Sequence, residues 1–388
     1  MTELSVYVHI PYCAKRCTYC DFATFTHREH EEEAYVAAVC QQIDECPYST
    51  RPVRSVYIGG GTPTHVTPAG LCSILNRLRD RFPFTPDAEI SLEANPASAD
   101  GPRFEQLLAA GYNRISFGVQ SFNDDSLRLL GRLHSSNDAI DAIRTARAAG
   151  FTNISLDMMF ALPRQTIRAW TADLDTALDT GVDHISAYSL ILEAGTPLTA
   201  RVRRGLLPEP DDAAAAEMMM QAHRILSGHG FDHYEIANYA KPGFRCRHNI
   251  VYWTNGEYLG FGSAAASYVN GCRATAVRDS SEFIRRVQLG QSVIAAEERL
   301  PRAEAVAETI MLGIRLLDGV DIEHIEERYA VRLTDVLAPV TTRLQQRGLL
   351  RVSGPQIQLT EQGMLLADTV AAELMACVEI SLRADSNR

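Results

Sequence analysis

Short apolar runs alternate with amphipathic segments through the first half of the chain. Runs rich in β-branched and aromatic residues predict strands at 6–10, 55–58, 89–93, 114–119, 154–160 and 184–191. Segments with helical periodicity lie between them, at 31–43, 69–81, 103–110, 137–149 and 167–180. Gly150 and Gly181 stand where helix C-caps are expected. This alternation predicts a parallel sheet with right-handed crossovers.

Six β–α units are too few to close an eight-stranded barrel, so we expect an α/β fold with a partial (β/α)6 barrel. The functional face of such a barrel is at the C-terminal ends of its strands. Side chains that follow those strand ends are therefore the first candidates for a site.

The pattern changes twice after the sixth predicted strand. A proline-rich acidic stretch at 206–212 precedes a Met-rich helix at 213–226 and an irregular, glycine-punctuated segment at 234–268. Helical periodicity returns at 304–316, 322–329 and 333–346, before a hairpin at 349–352 and 356–359 and a last helix from 361. We expect a barrel over 1–205, an accessory α+β segment over 206–300 and a winged-helix-like C-terminal domain over 301–388. A winged-helix shape does not by itself imply DNA binding.

Composition and charge limit the partners and the cellular location that can be expected for the protein. The chain has 388 residues and a formal net charge of −11, which argues against a nucleic-acid partner. No apolar run reaches the length of a membrane span, so no integral membrane segment is expected. The nine cysteines, without an export signal before the first strand, fit a reducing compartment and predict a cytoplasmic protein.

Three cysteines with the spacing C-x3-C-x2-C follow the first predicted strand: Cys13, Cys17 and Cys20. Thiolates are soft ligands that hold iron–sulfur clusters. Three of them leave one iron of a four-iron cube without a protein ligand, and an open position is typical of a catalytic metal centre. A structural zinc site is the alternative, but it needs a fourth ligand. Phe22 stands where a fourth cysteine would come, and His9 is the other nearby candidate.

Further polar residues fall at or after later strand ends. The run Gly59-Gly-Gly-Thr-Pro-Thr64 ends the second strand, and three glycines let a ligand approach the backbone and reach consecutive N–H and C=O groups. The alternative is a tight β–α turn, which seldom needs three glycines. Glu93, Gln120, Arg132 and Asp157 follow later in the barrel. We expect these groups to share one mouth with the cysteines.

Segments 8–13, 59–64, 114–122 and 157–166 together resemble the oxygen-independent coproporphyrinogen III oxidase family of radical S-adenosylmethionine (SAM) proteins. The resemblance extends over nearly the whole chain. It implies a [4Fe–4S] cluster held by Cys13, Cys17 and Cys20. It also implies SAM contacts from Tyr7, Gly61, Thr62, Glu93, Gln120, Arg132 and Asp157.

Three features resemble the haem-chaperone branch of that family. The oxidases have a long segment before the cluster strand and a further cysteine two residues after the third. Here the first strand begins near residue 5 and Phe22 stands at the cysteine position. The chain also contains His248-Asn-Ile-Val-Tyr-Trp253, an H-N-x-x-Y-W signature.

This resemblance implies that haem is bound as cargo and passed to acceptor haemoproteins such as respiratory enzymes. It assigns no catalytic residue and implies no coproporphyrinogen oxidase activity. Two alternatives stay open: radical decarboxylation of coproporphyrinogen III, and radical chemistry on haem itself.

His248 is the candidate haem ligand, because imidazole is a common axial ligand of haem iron. We expect it in a loop from 245 to 253 that also offers arginines for propionates and aromatic rings for the porphyrin. The alternative is that these polar and aromatic residues have only a structural role and join the domains. Two positions depart from the family pattern, Ala161 where glycine is usual and Ala266 where histidine is usual.

Overall fold

The computed structural model describes residues 3–386. Six parallel strands form the centre of one sheet, in the order β1 (Leu4–Ile10), β2 (Val53–Gly60), β3 (Phe84–Ala94), β4 (Arg114–Gln120), β5 (Ile154–Phe160) and β6 (His184–Ser189). The crossovers carry α1 (Glu32–Asp44), α2 (Pro68–Arg81), α3 (Gly101–Ala110), α4 (Asp124–Leu130), α5 (Ser136–Ala149) and α6 (Ile167–Asp179). The predicted partial (β/α)6 barrel is confirmed.

Helix α4 was not predicted from the sequence, because its seven residues are too few to show a helical period. Local signals define it nonetheless. The side chain of Asn123 caps its first turn by accepting from the Ser126 amide at 3.0 Å. Gly131 ends it in a left-handed conformation with φ of 76°. Arg132 therefore follows a helix end and lies well beyond the end of β4.

The expected irregular segment at 234–268 is mostly regular, so that prediction was wrong. After α7 (Pro197–Arg203) and α8 (Asp212–Gly228) come β7 (Asp232–Glu235), β8 (Asn238–Ala240), α9 (Arg247–Trp253), β9 (Tyr258–Phe261), β10 (Ala266–Val269), β11 (Cys272–Ala276), α10 (Ser280–Gln288) and β12 (Ile294–Glu298). Strands of three to five residues show no clear alternation, and their partners lie far away in sequence.

These short strands extend the barrel sheet at both edges. Its order is β12-β11-β10-β9-β1-β2-β3-β4-β5-β6-β8-β7, with β9 parallel to β1 and β8 antiparallel to β6. Strand β1 is therefore internal to the sheet, and the accessory segment shares the sheet of the barrel. The boundary at residue 206 stays a prediction.

The C-terminal part has its own hydrophobic core. It contains α11 (Arg302–Gly313), β13 (Val320–Asp321), α12 (Ile322–Tyr329), α13 (Thr334–Gln346), β14 (Leu350–Ser353), β15 (Gln356–Leu359), α14 (Glu361–Met364) and α15 (Ala367–Ser386). The three strands pair in the order β13-β15-β14. This is the predicted winged-helix-like arrangement. Over residues 3–386, none of the helices combines the length and apolarity that crossing a membrane requires.

Candidate functional site

A cavity of about 290 Å³ opens at the C-terminal ends of the parallel strands. Most of the predicted site residues line it together: Cys13, Cys17, Cys20, Gly61, Thr62, Glu93, Gln120, Arg132 and Asp157. Tyr7 lines a neighbouring cavity instead. The mouth of the barrel thus brings together residues that span more than 140 positions of sequence.

Hydrogen bonds hold the cysteine loop, the segment from Cys13 to Phe25, both to itself and to helix α4. The Cys13 amide donates to Phe25 O at 2.9 Å, which closes the loop on itself. The Thr18 amide donates to Leu130 O at 2.9 Å, and its hydroxyl donates to Leu129 O at 3.0 Å. Because both acceptors are in α4, this short helix fixes the loop in front of the strand ends.

All three cysteines are free thiols, and two of them face hydrogen-bond donors. Arg132 Nη1 lies 3.3 Å from Cys17 Sγ, and Thr62 Oγ1 lies 3.6 Å from Cys13 Sγ. Burial raises the pKa of Cys13 to about 11, and burial also raises the pKa of Cys20. Metal ligation requires thiolates, so loading a metal here would release protons.

Within residues 3–386, no three histidine, cysteine or acidic side chains are arranged around a position for a single metal ion. A cubane cluster does not need such convergence, because each cysteine binds a different iron. The thiols, their donors and the open cavity beside them fit a cluster with three protein ligands.

Two of the three consecutive glycines, Gly60 and Gly61, line the first cavity, and close packing of the backbone requires them. A Cβ at Gly60 would lie 2.5 Å from the His9 ring, and one at Gly61 would lie 2.7 Å from Tyr12 O and 3.0 Å from Cys13 Sγ. The amides of Gly61 and Thr62 donate to Ile10 O and Tyr12 O, at 2.7 and 2.8 Å. The expectation of free N–H groups was therefore wrong: glycine is needed here because β2 passes close to the end of β1.

Glu93 and Asp157 place two half-buried carboxyl groups in the cavity wall. Glu93 accepts from Tyr57 Oη and from the Gly60 amide, both at 3.0 Å. Burial and the nearby Asp157 raise the pKa of Glu93 to about 7. Burial also raises the pKa of Asp157, whose Oδ1 accepts from Ser116 Oγ at 3.2 Å. A cationic ligand between them would favour their ionised forms.

Gln120 and Arg132 form the opposite part of the wall. Gln120 adopts a left-handed backbone with φ of 71°, and its Oε1 accepts from Tyr188 Oη at 2.6 Å. Arg132 also donates to Gly118 O. Its Nε is buried, and no partner for it lies in the described part of the chain. An orphaned guanidinium donor in a cavity suits a ligand carboxylate.

A second cavity of about 500 Å³ lies beside the first. Gly60, Glu93, Asp21 and Phe22 line both cavities, so the two share a wall. The remaining lining is aromatic, small or basic: Tyr7, His9, Ala23, Tyr252, Tyr258, Ala264, Ala266 and Arg278. Ala266, where the family usually has histidine, thus leaves space in this cavity.

His248 lies in helix α9, so the expected loop from 245 to 253 was wrong for most of its length. The imidazole is buried and uses both nitrogens: Nδ1 is 3.0 Å from Ser55 Oγ and Nε2 is 2.8 Å from Tyr252 Oη. Burial lowers the pKa of His248 to about 3, which keeps it neutral. Axial ligation of haem by His248 stays a prediction, and it would require the release of one of these hydrogen bonds.

The same motif contacts the C-terminal part of the chain. The Trp253 ring lies 5.1 Å from the Arg315 guanidinium, and Asn255 Nδ2 donates to Thr309 Oγ1 at 2.9 Å. At the other end of α9, Glu89 accepts from the amides of Arg247 and His248, at 3.0 and 3.2 Å. These contacts agree with the alternative that the motif has a structural role and joins the domains.

Sequence reasoning missed two tyrosines that line the first cavity, Tyr19 and Tyr188. Tyr188 belongs to β6, so the rule that selected the ends of earlier strands would also have found it. Tyr19 lies between two of the cysteines, where sequence alone gave no orientation. Ala161 adopts φ of 57°, which explains why glycine is usual at that position.

A partial barrel with three cysteines at its mouth defines the class of radical SAM proteins, and comparisons with known proteins agree. The model of the Radical SAM superfamily matches residues 7–177, and the model of the HemN C-terminal domain matches residues 300–366. Membership of this superfamily implies a [4Fe–4S] cluster and SAM. Coproporphyrinogen III oxidase (HemN) from Escherichia coli has a similar structure, with a TM-score of 0.83 and 25% identity over 97% of this chain and 90% of that chain.

Curated relatives are similar over almost their whole length. "Heme chaperone HemW" of Mycobacterium tuberculosis strain H37Rv is 36% identical over 95% of this chain and 94% of its own. "Heme chaperone HemW" of Bacillus subtilis is 34% identical over 94% and 97%. A mouse mitochondrial protein, "Radical S-adenosyl methionine domain-containing protein 1", is 33% identical over 96% and 88%. The chain therefore belongs to the HemW family of radical SAM proteins.

The raised pKa of Glu93 predicts a pH-dependent stability. The pKa of Glu93 is about 7 in the folded protein and 4.5 in the unfolded chain, so between these pH values the folded protein holds a proton that the unfolded chain has lost. Stability from this group is complete below pH 4.5 and is lost as pH rises through 7. Relative to Glu93→Gln, the unfolding free energy of the native protein should fall by about 2–3 kcal/mol between about pH 5 and about pH 8.

Urea unfolding of both proteins with equal cluster content measures this difference. Glu105→Gln, on the exposed side of α3, is the control and should follow the native pH profile. Parallel profiles for native protein and Glu93→Gln would contradict the assignment.

Proposed function

We propose that this chain is a haem chaperone that holds a [4Fe–4S] cluster and SAM in the mouth of its partial barrel and passes bound haem to acceptor haemoproteins. The observation that carries this proposal is the single cavity lined by three free cysteines and by polar side chains from successive strands. The names of the bacterial relatives, which are haem chaperones, support haem as the cargo.

Cys13, Cys17 and Cys20 would ligate three irons of the cluster and leave the fourth open to SAM. A cluster of this kind can supply an electron to bound SAM. Thr62 and Arg132 donate toward two of the sulfurs, and such outer donors orient ligands and tune the cluster.

The cavity also fits the charges of SAM. Arg132 would pair with the carboxylate, while Glu93 and Asp157 would accept from the ammonium group or the ribose hydroxyls. Gln120 would add a polar contact. Tyr7 lines the second cavity and not the first, so its contact with SAM stays a prediction. Gly61 would act indirectly, by letting β2 bring Thr62 to Cys13.

A second candidate is radical decarboxylation of coproporphyrinogen III, which is favoured by the structural similarity to the E. coli oxidase. Radical chemistry on haem itself would use the same cavity. The cytoplasmic location and the identity of the acceptors, such as respiratory haem enzymes, stay predictions.

Substitution of the cluster cysteines tests the metal centre. Cys13→Ser, Cys17→Ser and Cys20→Ser should each lose the broad iron–sulfur absorbance after anaerobic reconstitution, because a missing thiolate exposes a second iron. Cys272→Ser, in strand β11, should keep it. The EPR signal of the reduced native cluster should change when SAM is added. Full cluster content in any of the first three variants, or a spectrum indifferent to SAM, would refute this site.

Product analysis separates the chaperone from an enzyme. Haem-loaded protein should transfer haem to an apo-haemoprotein, followed by the absorbance of the acceptor. With coproporphyrinogen III, SAM and reductant under anaerobic conditions, no protoporphyrinogen IX should form. Joint accumulation of protoporphyrinogen IX and 5′-deoxyadenosine would favour the oxidase. Loss of intact haem with 5′-deoxyadenosine would indicate chemistry on haem.

His248→Ala tests the role of the H-N-x-x-Y-W motif in haem binding. Axial ligation predicts a shifted Soret band. His248 Nε2 lies 2.8 Å from Tyr252 Oη. If His248 only positions Tyr252, the variant should bind haem more weakly, with an unchanged Soret band. Unchanged affinity together with an unchanged spectrum would make the motif purely structural. The variant Cys13→Ser should retain haem, because the cluster and the haem are expected at different sites.

A further inference from the structure

Phe22 is an exposed aromatic residue directly after the cysteine loop. Its exposed fraction is 64%, and it lines both cavities. Exposed apolar surface that continues into a cavity is typical of a ligand-binding surface. Because the residue lies on the shared wall, a ligand that contacts its ring would lie at the entrance of the second cavity.

Two arginines bind backbone carbonyls of Phe22 and of the residues just before it. Arg16 Nε donates to Cys20 O at 3.2 Å and its Nη2 donates to Phe22 O at 3.4 Å. Arg278 Nη2 donates to Asp21 O at 2.8 Å. Within the described residues neither guanidinium forms an ion pair with a carboxylate. Arg16 lines the first cavity and Arg278 lines the second, so one arginine is found on each side of the shared wall that carries Phe22.

The rest of the second cavity suits a flat apolar ligand. Tyr252 and Tyr258 present aromatic rings, while the neighbouring alanines leave space. Its volume of about 500 Å³ is within the range of cofactor sites. Two acidic residues also line it, Glu93 and Asp21. Glu93 is already engaged by Tyr57 and Gly60, and Asp21 lies at the open edge.

We propose that one face of the haem lies against Phe22 at the second cavity, and that Arg16 and Arg278 pair with its two propionates. This inference rests on the proposed function, in which haem is the cargo. A planar apolar ring with two carboxylates matches one aromatic surface between two cations.

Anaerobic titration of the full chain with haem and with haem dimethyl ester tests this surface. Phe22→Ala should raise the Kd for both ligands about tenfold, because the ring contact is common to both. Arg16→Gln combined with Arg278→Gln should raise the Kd for haem about tenfold and leave the ester unaffected, because the ester has no carboxylates.

Matched controls lie outside the cavity. Leu289→Ala removes another exposed apolar side chain, and Arg299→Gln removes another arginine that donates to a backbone carbonyl, Asn270 O at 2.7 Å. Both should bind haem as the native protein does. Iron and sulfide are counted in every variant, so that cluster loss is distinguished from weaker haem binding. Arg16 and Arg278 both bind carbonyls beside the cysteines, so the ester titration of the double variant distinguishes a lost propionate contact from a disturbed loop, which would weaken the binding of both ligands.

The outcomes distinguish a failure of this haem-binding surface from a failure of the proposed function. If native protein binds haem and the Phe22 and arginine variants bind it equally well, this surface is wrong while the proposed function stands. If Phe22→Ala changes only the oligomeric mass, the ring belongs to an interface and the inference is also wrong. If the native protein binds no haem, the proposed function itself fails.

Discussion

The site depends on the position of strand β1 inside the sheet. It pairs in parallel with β2 on one side and with β9 on the other. Its C-terminal end delivers the cysteine loop, and its register with β2 sets Ile10 beside Gly60. The close approach of the two strands excludes any side chain at Gly60 and Gly61. The cysteines, Thr62 and the wall that separates the two cavities are therefore consequences of one strand pairing.

The strands and the site residues near their C-terminal ends were predictable from the sequence. The six parallel strands were predictable because each is a buried apolar run of ordinary length. The cysteines and the carboxyl groups Glu93 and Asp157 were predictable because residues near the C-terminal ends of parallel strands meet at one mouth. The comparisons then identified the family to which these motifs belong.

The errors have physical causes of their own. The short edge strands and α9 are stabilised by distant partners, such as Glu89 at the N-terminus of α9, which no local window contains. The glycine amides were expected to be free, but that of Gly61 donates to Ile10 O at the end of β1 and that of Gly60 donates to Glu93. The predicted contact of Tyr7 with SAM stays a prediction, because Tyr7 lines the second cavity, where its hydroxyl pairs with His9. Side-chain directions of this kind are set by packing.

Two adjacent cavities with a common wall give the account its central claim, which is that cluster and haem occupy different sites at the same time. The direct measurement is the content of non-haem iron, sulfide and haem in one anaerobically reconstituted sample. The account predicts about four iron and four sulfide together with one haem per chain. If haem is instead released in proportion to the cluster that is loaded, the two share one site, and the claim of separate sites is contradicted.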